Sequence, residues 1–126
     1  DVGCGSGILG IVSLMKGARI AHGIDINPAS VEVSRLNAEL NGAGDRWTVS
    51  QEYPHEAHDI VFANILAPVL IDLSDEIARS VATAGVLILS GVLDGRYGHV
   101  LEEYPDFAVS DRLVIDGWAS LMLTRR

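Results

Sequence analysis

Asp1-Val-Gly-Cys-Gly-Ser-Gly7 is the stretch that decides the fold. Glycines at every second position follow an acidic residue, and Ser6 to about Lys16 then has apolar residues at helical spacing, with Gly17 as a stop. Without a Cβ, such a backbone turns tightly and approaches a ligand, toward which the first N–H groups of the helix also point. The stretch therefore predicts a ligand-binding turn that opens a helix. Its expected apolar face is Ile8, Leu9, Val12 and Met15.

Strands and helices alternate after this turn. Arg19 to Ile26 is predicted to be a short buried strand with Asp25 at its end, and Asn27-Pro28 supplies an N-cap and a first-turn proline for a second helix, which Asn41-Gly42 ends. The spacing predicts an apolar face on this helix that comprises Ala29, Val33, Leu36 and Leu40.

The second half continues the alternation and then breaks it. A weak strand around residues 47–49 precedes a strand at 59–64, a helix from Ile65 to about Val81, a strand at 86–90 and a helix from Asp94 to Tyr104. Strands at 107–115 and 118–124 around Asp116-Gly117 form a predicted hairpin. The order predicts one α/β domain over residues 1–126, with a mostly parallel sheet and an antiparallel C-terminal hairpin. The long helix is expected to bury Leu66, Leu70, Leu73 and Ile77.

The first strand of such a sheet is missing from the sequence. A glycine turn of this kind follows a strand that is central in a doubly wound sheet, yet only Asp1 and Val2 precede Gly3. We therefore expect the chain to be an N-terminally truncated piece of a longer protein.

Polar residues stand where predicted strands end, which is where open α/β sheets bind ligands. Asp25 lies 22 residues after Gly3, a position from which a carboxylate accepts hydrogen bonds from both hydroxyls of a ribose. Asn64 ends the next long strand. Each has a purely structural alternative, because Asp25 adjoins the Asn27-Pro28 helix start and Asn64 precedes a helix that it could cap. Together with the glycine turn, these residues predict an adenosine-type site.

The glycine spacing alone leaves the cofactor open. Gly5-Ser-Gly7-Ile-Leu-Gly10 matches the dinucleotide pattern G-x-G-x-x-G, in a chain that contains 13 glycines. The acidic Asp1 before G-x-G-x-G is instead typical of class I methyltransferases that use S-adenosylmethionine.

The whole chain resembles the methyltransferase domain of the ribosomal protein L11 methyltransferase family (PrmA), bacterial enzymes that methylate amino groups of a ribosomal protein. The resemblance is carried by Asp1-Val-Gly-Cys-Gly-Ser-Gly-Ile-Leu9, Gly23-Ile-Asp-Ile-Asn-Pro28, Asn37-Ala38 with Asn41-Gly42, Ala63-Asn-Ile-Leu66 and Leu89-Ser-Gly91. It implies a Rossmann-like class I methyltransferase fold, S-adenosylmethionine as cofactor and S-adenosylhomocysteine as product. The family also has an upstream cofactor-contacting threonine and an N-terminal substrate-recognition domain, which this sequence does not contain.

The resemblance also implies residue roles. Gly3 would lie against the cofactor, Asp25 would hold its ribose, and Asn64, the candidate catalytic residue, would orient the incoming amine. The implied function is methylation of lysines or the N-terminus of ribosomal protein L11 in the cytoplasm. The expected cofactor-binding set is Asp1, Gly3, Cys4, Gly5, Gly7, Asp25, Ile26 and Asn64.

Three other functions stay open at this stage. A class I methyltransferase for a small molecule or a nucleic-acid base is one, although base-amine enzymes typically carry N-P-P-Y where this chain has Asn64-Ile-Leu-Ala67. A cofactor-binding fragment without catalysis is the second, motivated by the missing strand. A nicotinamide dehydrogenase is the third, motivated by the dinucleotide pattern.

The amino-acid composition and the net charge limit the functional classes that fit the chain. Seventeen acidic and nine basic residues give a net charge of −8, which disfavours direct binding to nucleic acid. With 126 residues, one cysteine and apolar runs far shorter than the roughly 20 residues of a membrane span, the chain is predicted to be soluble and intracellular. Cys4 has no neighbouring base, and no metal is expected, since His55 and His58 lack further ligands. Trp47 and Trp118 are predicted packing residues, Trp118 at a hairpin edge that often adjoins the substrate.

Overall fold

The computed structural model describes residues 1–126, which fall into two compact units, Asp1–Tyr53 and Pro54–Arg126. Each unit has its own strands and its own core. None of the helices combines the length and the apolar character that crossing a bilayer requires.

The first unit contains two helices and two parallel strands. They are α1 (Ile8–Met15), β1 (Ala21–Ile24), α2 (Pro28–Leu40) and β2 (Trp47–Ser50). The β1–β2 pair runs in register from Ala21 opposite Trp47, and Val2 forms an isolated parallel bridge to Ile24. The predicted start of α2 is confirmed, because the Asn27 side chain accepts a hydrogen bond from the Ala29 N–H and Pro28 occupies the first turn.

Trp47 is the centre of the core of this unit. Its ring packs among buried residues from α1, α2 and the glycine turn, and it leaves no room for a side chain at two glycines. A Cβ on Gly10 would lie 2.2 Å from ring atom Cζ3, and one on Gly23 would lie 2.4 Å from Cζ2. The predicted packing role of Trp47 is confirmed.

The predicted apolar faces of α1 and α2 are wrong. α1 buries Gly10, Ile11 and Leu14 and exposes Ile8, Val12 and Met15. α2 buries the small residues Ser34 and Ala38, whereas Ala29, Val33, Leu36 and Leu40 are exposed. Close packing explains which faces of the two helices are buried. The face of α1 that carries Gly10 has room for the Trp47 indole, and Ser34 of α2 lies so near the glycine turn that a Cβ on Gly7 would be 3.0 Å from the Ser34 Cβ.

The second unit is a four-stranded mixed sheet with three short helices. Its strand order is β3-β4-β6-β5, where β3 and β4 are parallel and the pairs β4–β6 and β6–β5 are antiparallel. The predicted combination of parallel strands with an antiparallel C-terminal hairpin is confirmed. The elements are β3 (His58–Asn64), α3 (Ala67–Asp72), α4 (Ser74–Arg79), β4 (Val81–Leu93), α5 (Tyr97–Glu102), β5 (Phe107–Ile115) and β6 (Trp118–Arg125).

The single helix predicted from Ile65 to Val81 is instead two short helices. Leu73 leaves helical geometry with φ −103° and ψ 14°, which separates α3 from α4. Leu70 and Ile77 are fully buried as predicted, whereas Leu66 is exposed. β4 also begins earlier than predicted, because Val81 already pairs with His58.

The hairpin between β5 and β6 has the two-residue turn that its sequence predicts. Asp116 and Gly117 both have positive φ, 50° and 81°, as a type I′ turn requires. The turn places Ile115 directly opposite Trp118.

Candidate functional site

Hydrogen bonds within the backbone hold the glycine turn of the first unit against the end of β1. The Cys4 N–H donates to the Ile24 carbonyl over 2.9 Å, and the Ile24 N–H donates to the Asp1 carbonyl over the same distance. Gly3, Gly5 and Gly7 have φ between 53° and 81°, a region that L side chains rarely adopt. The turn is therefore a preformed feature that needs glycine at all three positions.

Asp25 joins this turn to the start of α2. One carboxylate oxygen, Oδ2, accepts the Gly5 N–H over 2.9 Å, and Oδ1 accepts the Asn27 N–H over 2.9 Å. Each oxygen keeps one further lone pair, and the side chain is half-buried. Asp25 thus fixes the turn and still has acceptor capacity for a ligand. The sequence placed these groups near each other but did not predict the bond between them.

The side chain of Asp1 caps the start of α1, although Asp1 precedes the glycine turn in the sequence. Gly7 is the N-cap residue and has no side chain to offer, whereas the Asp1 Oδ2 accepts the Gly10 N–H over 3.0 Å. A carboxylate near a helix N-terminus also interacts favourably with the positive end of the helix dipole. The acidic residue before the glycine run thus has a structural role that the sequence analysis missed.

The side chains of Cys4 and Ile26, two residues of the expected cofactor site, differ in exposure. Cys4 is 6% exposed and its side chain belongs to the core around Trp47. Burial, and then the charge of Asp25, raise the pKa of the Cys4 thiol, so it stays protonated near neutral pH and is not an activated nucleophile. Ile26 follows Asp25 with its side chain 85% exposed.

The presence of glycine at position 10 is explained by packing and does not require a bound dinucleotide. Gly10 completes the G-x-G-x-x-G pattern, but the position is occupied by glycine because the Trp47 ring lies against it. The observation that motivated a nicotinamide cofactor therefore has a packing explanation.

The second unit contains a cleft of about 390 Å³ at the carboxyl end of β3, beside residues 90–91 of β4. Asn64 and Ser90 form the last pair of the parallel β3–β4 register, and Trp118, 49% exposed, is the first residue of β6. None of the lining side chains titrates near neutral pH. The cleft is lined by Asn64, Ile65, Leu66, Ser90, Gly91 and Trp118.

Asn64 does not cap the following helix. The N-cap position of α3 is Leu66, and the helix has no side-chain cap. Asn64 is exposed, and its side chain makes no hydrogen bond within the protein, so its amide oxygen and its amide N–H groups are available to a ligand. The structural alternative for Asn64 is thereby removed.

The sequence analysis missed Ser90, which lines this cleft, and its partner Ser120 on β6. Their hydroxyl oxygens are 2.8 Å apart. The signal for Ser90 was the one used for Asn64, a polar residue after an apolar strand. Ser120 had no such signal, because only the pairing of β4 with β6 brings it here.

His55 and His58, at which no metal is expected, differ in burial. His55 is exposed, whereas His58 is the first residue of β3, one residue before the predicted start, and its Nε2 is buried without a hydrogen-bond partner. No three potential metal-ligating side chains come together in residues 1–126.

Comparison with known proteins gives one consistent answer. The family model described as Ribosomal protein L11 methyltransferase (PrmA) matches residues 1–126. The ribosomal protein L11 methyltransferases of Idiomarina loihiensis and Chromobacterium violaceum are 41% and 42% identical over 128 and 127 residues. These alignments include 99% and 100% of this chain but 44% and 43% of the relatives. The chain thus spans less than half the length of the curated relatives it matches.

Solved structures show the same fold. Ribosomal protein L11 methylase from Lactobacillus delbrueckii subsp. bulgaricus matches with a TM-score of 0.92 and 27% identity, over 100% of this chain and 68% of that one. An RNA methyltransferase from Salinibacter ruber, solved with S-adenosyl-L-homocysteine, matches with a TM-score of 0.76 and 19% identity, over 97% of this chain and 76% of that one. The second likeness concerns the fold alone. The class I methyltransferase fold expected from the sequence is confirmed.

Proposed function

We propose, because this chain belongs to the ribosomal protein L11 methyltransferase (PrmA) family, that it binds S-adenosylmethionine and that its whole protein methylates amino groups of ribosomal protein L11 in the cytoplasm. The observation that carries the proposal is the bond from the Gly5 N–H to Asp25 Oδ2, since it joins a preformed glycine turn to a carboxylate with free acceptor capacity. We further propose that residues 1–126 form one methyltransferase domain.

The glycine turn and Asp25 are the proposed cofactor site. The remaining lone pairs of Asp25 suit the two hydroxyls of a ribose. Asp1 already occupies the Gly10 N–H, which leaves the first-turn N–H groups of α1 for an anionic group of the ligand. Cys4 contributes through its backbone only, because its side chain is in the core. The proposed cofactor-binding set remains Asp1, Gly3, Cys4, Gly5, Gly7, Asp25, Ile26 and Asn64.

Asn64 is proposed to orient the acceptor amine. When bound, S-adenosylmethionine would supply a sulfonium methyl group for in-line attack by a neutral amine, with S-adenosylhomocysteine as the leaving group. The free amide oxygen of Asn64 accepts one amine N–H and so directs the nitrogen lone pair. Alignment of this kind contributes roughly 7–11 kcal/mol in favourable cases. The residue therefore acts through position and not as a base.

Deprotonation of the amine is assigned to solvent. A free lysine has a pKa of about 10.4 and is charged at neutral pH. The six residues that line the cleft include no side chain able to take up that proton near neutral pH. Loss of the proton before the amine enters is the step that fits this lining.

Calorimetric titration of S-adenosylhomocysteine into the full-length protein tests the cofactor site. We expect Asp25→Ala to weaken binding at least about tenfold, or about 1.4 kcal/mol. Asp45→Ala is the control, since Asp45 is an exposed acid of the same unit. Binding of NADH by the wild type, or of neither ligand, would contradict the proposal.

Methyl transfer to purified ribosomal protein L11 tests the reaction. We expect Asn64→Ala to lower kcat by about 10- to 100-fold, the scale of a lost positioning contact. Asn41→Ala, at an exposed asparagine after α2, should leave it unchanged. Transfer to ribosomal RNA in place of ribosomal protein L11 would reassign the substrate.

A further inference from the structure

A β-bulge lies beside Asn64 in the second unit. Leu89 is opposite Leu121 and Val92 is opposite Ala119, so two residues of β4, Ser90 and Gly91, face the single Ser120 of β6. The Ser90 and Ser120 hydroxyls lie within hydrogen-bond distance across this bulge, at 2.8 Å. Bulges beside functional sites commonly redirect a side chain or a backbone group.

Gly91 is the bulge residue that contacts the segment of Asn64. A Cβ at Gly91 would lie 2.8 Å from the Ile65 carbonyl oxygen and 3.1 Å from the Asn64 Oδ1. The first contact is with backbone, which cannot swing aside as a flexible side chain can. Any side chain at position 91 must therefore displace the connection that follows β3, together with the amide of Asn64.

We infer that Gly91 is a positioning residue for Asn64: by lacking a Cβ it lets the Asn64 amide and the Ile65 carbonyl occupy the end of the cleft. The inference rests on the proposed function, which takes Asn64 to orient the amine. Gly91 also lines the cleft, and its positioning role is the close approach that it allows to Asn64 and Ile65. The Ser90–Ser120 hydrogen bond holds the bulge that presents it.

Gly95 provides a matched control. Gly91 and Gly95 have φ of 81° and 80°, so alanine is strained by the same backbone conformation at both. A Cβ at Gly95 meets nothing within 4 Å, whereas a Cβ at Gly91 meets the Asn64 segment. The difference between the two alanine variants isolates the contact from the strain.

Steady-state methylation of ribosomal protein L11 by the full-length protein is the first readout. Gly91→Ala should lower kcat by about 10- to 100-fold, the cost of a displacement near 1 Å. Gly95→Ala should retain kcat within about twofold, although it carries the same backbone strain. In an Asn64→Ala background, Gly91→Ala should add less than about twofold, because its effect passes through Asn64.

A second readout does not need activity. The side-chain amide resonance of Asn64 in a nitrogen-15 correlation spectrum should shift in Gly91→Ala and stay in place in Gly95→Ala. If Gly91→Ala fails to fold, Ser120→Ala decides, since it loosens the bulge without a clash. It should shift the same resonance and lower kcat about threefold, whereas Ser110→Ala, at an exposed serine of β5, should do neither.

The outcomes separate the two proposals. Equal kcat in Gly91→Ala and Gly95→Ala, with an unmoved Asn64 resonance, overturns the role of Gly91 and leaves the proposed function standing. A wild type that neither binds S-adenosylhomocysteine nor methylates ribosomal protein L11 overturns the proposed function, while the Asn64 resonance still tests Gly91. If Gly91→Ala does not fold, an Asn64 resonance that stays in place in Ser120→Ala overturns the positioning role.

Discussion

The indole of Trp47 lies where a side chain of Gly10 would have to be, with ring atom Cζ3 only 2.2 Å from the position of a Cβ. The ring is on β2 and the glycine on α1, so this contact fixes how closely the helix approaches the strand. A glycine that looks like part of a cofactor fingerprint is thus a packing requirement.

Gly10→Ala should destabilise the protein by about 1–3 kcal/mol, because the added methyl group overpacks a filled core. Gly98→Ala is the control. Gly98 is also helical, a Cβ there meets nothing within 4 Å, and alanine should stabilise by about 0.4–1 kcal/mol. Urea unfolding of both variants measures the difference, and equal midpoints would contradict the role of Trp47.

Asp1→Ala should lower the free energy of unfolding by about 1 kcal/mol, since the Gly10 N–H loses its cap. Asp1→Asn keeps an oxygen acceptor and should lose less. Asp45→Ala should stay within about 0.5 kcal/mol of the wild type. Thermal unfolding followed by circular dichroism ranks the three, and an Asp1→Ala variant as stable as Asp45→Ala would refute the cap.

Tyr104→Phe should cost about 1–3 kcal/mol. The Tyr104 hydroxyl is a buried donor to the Leu70 carbonyl at 2.8 Å, and its removal leaves that carbonyl without this donor in a dry environment. Tyr97→Phe removes a hydroxyl that accepts from Arg112 at the surface and should change stability by less than about 0.5 kcal/mol. Chemical denaturation of the pair checks this, and similar losses would show that the buried hydrogen bond contributes nothing particular.

Cys4 should resist thiol reagents in the folded protein. Its pKa is raised by burial and by the Asp25 charge, so the thiolate fraction at any given pH lies below that of a free cysteine. Raising the pH should increase the rate, and Asp25→Asn should shift that increase to lower pH because one cause of the raised pKa is removed. Reaction with a colorimetric disulfide at about pH 8, before and after denaturation, measures this. Equal rates in both states would contradict the buried thiol.

The sequence was sufficient for the order of elements, apart from the division of one predicted helix into α3 and α4, and for the end of β3 at Asn64. Asp25 and Asn64 were found because a polar residue after a short apolar run is distinctive, and the turn at Asp116-Gly117 because few residues adopt positive φ. These are local signals, and each depends on a few neighbouring residues.

The buried sides of α1 and α2 required information from elsewhere in the chain. α1 is apolar on every side, so periodicity alone could not choose between the face of Ile8 and the face of Ile11. The choice follows from Trp47, which is 37 positions after Gly10 and needs a glycine to pack against. In α2, Ser34 and Ala38 are buried because small residues permit a close approach. A ranking of the residues by hydrophobicity instead favours the larger apolar side chains.

The turn at Asp116 and Gly117 sets which face of the sheet each side chain of β5 occupies. Strand side chains alternate between the two faces of a sheet, so a slip of one residue in the β5–β6 pairing would move every side chain of the slipped strand to the other face. Asp116 and Gly117 prevent that slip, since their positive φ values fit a two-residue turn and only these two residues lie between the paired ends of the strands. An inserted residue at this turn would therefore turn over the side chains of β5, whereas Trp118 would keep its place at the cleft, because β6 also pairs with β4 and Trp118 lies opposite Leu93 there.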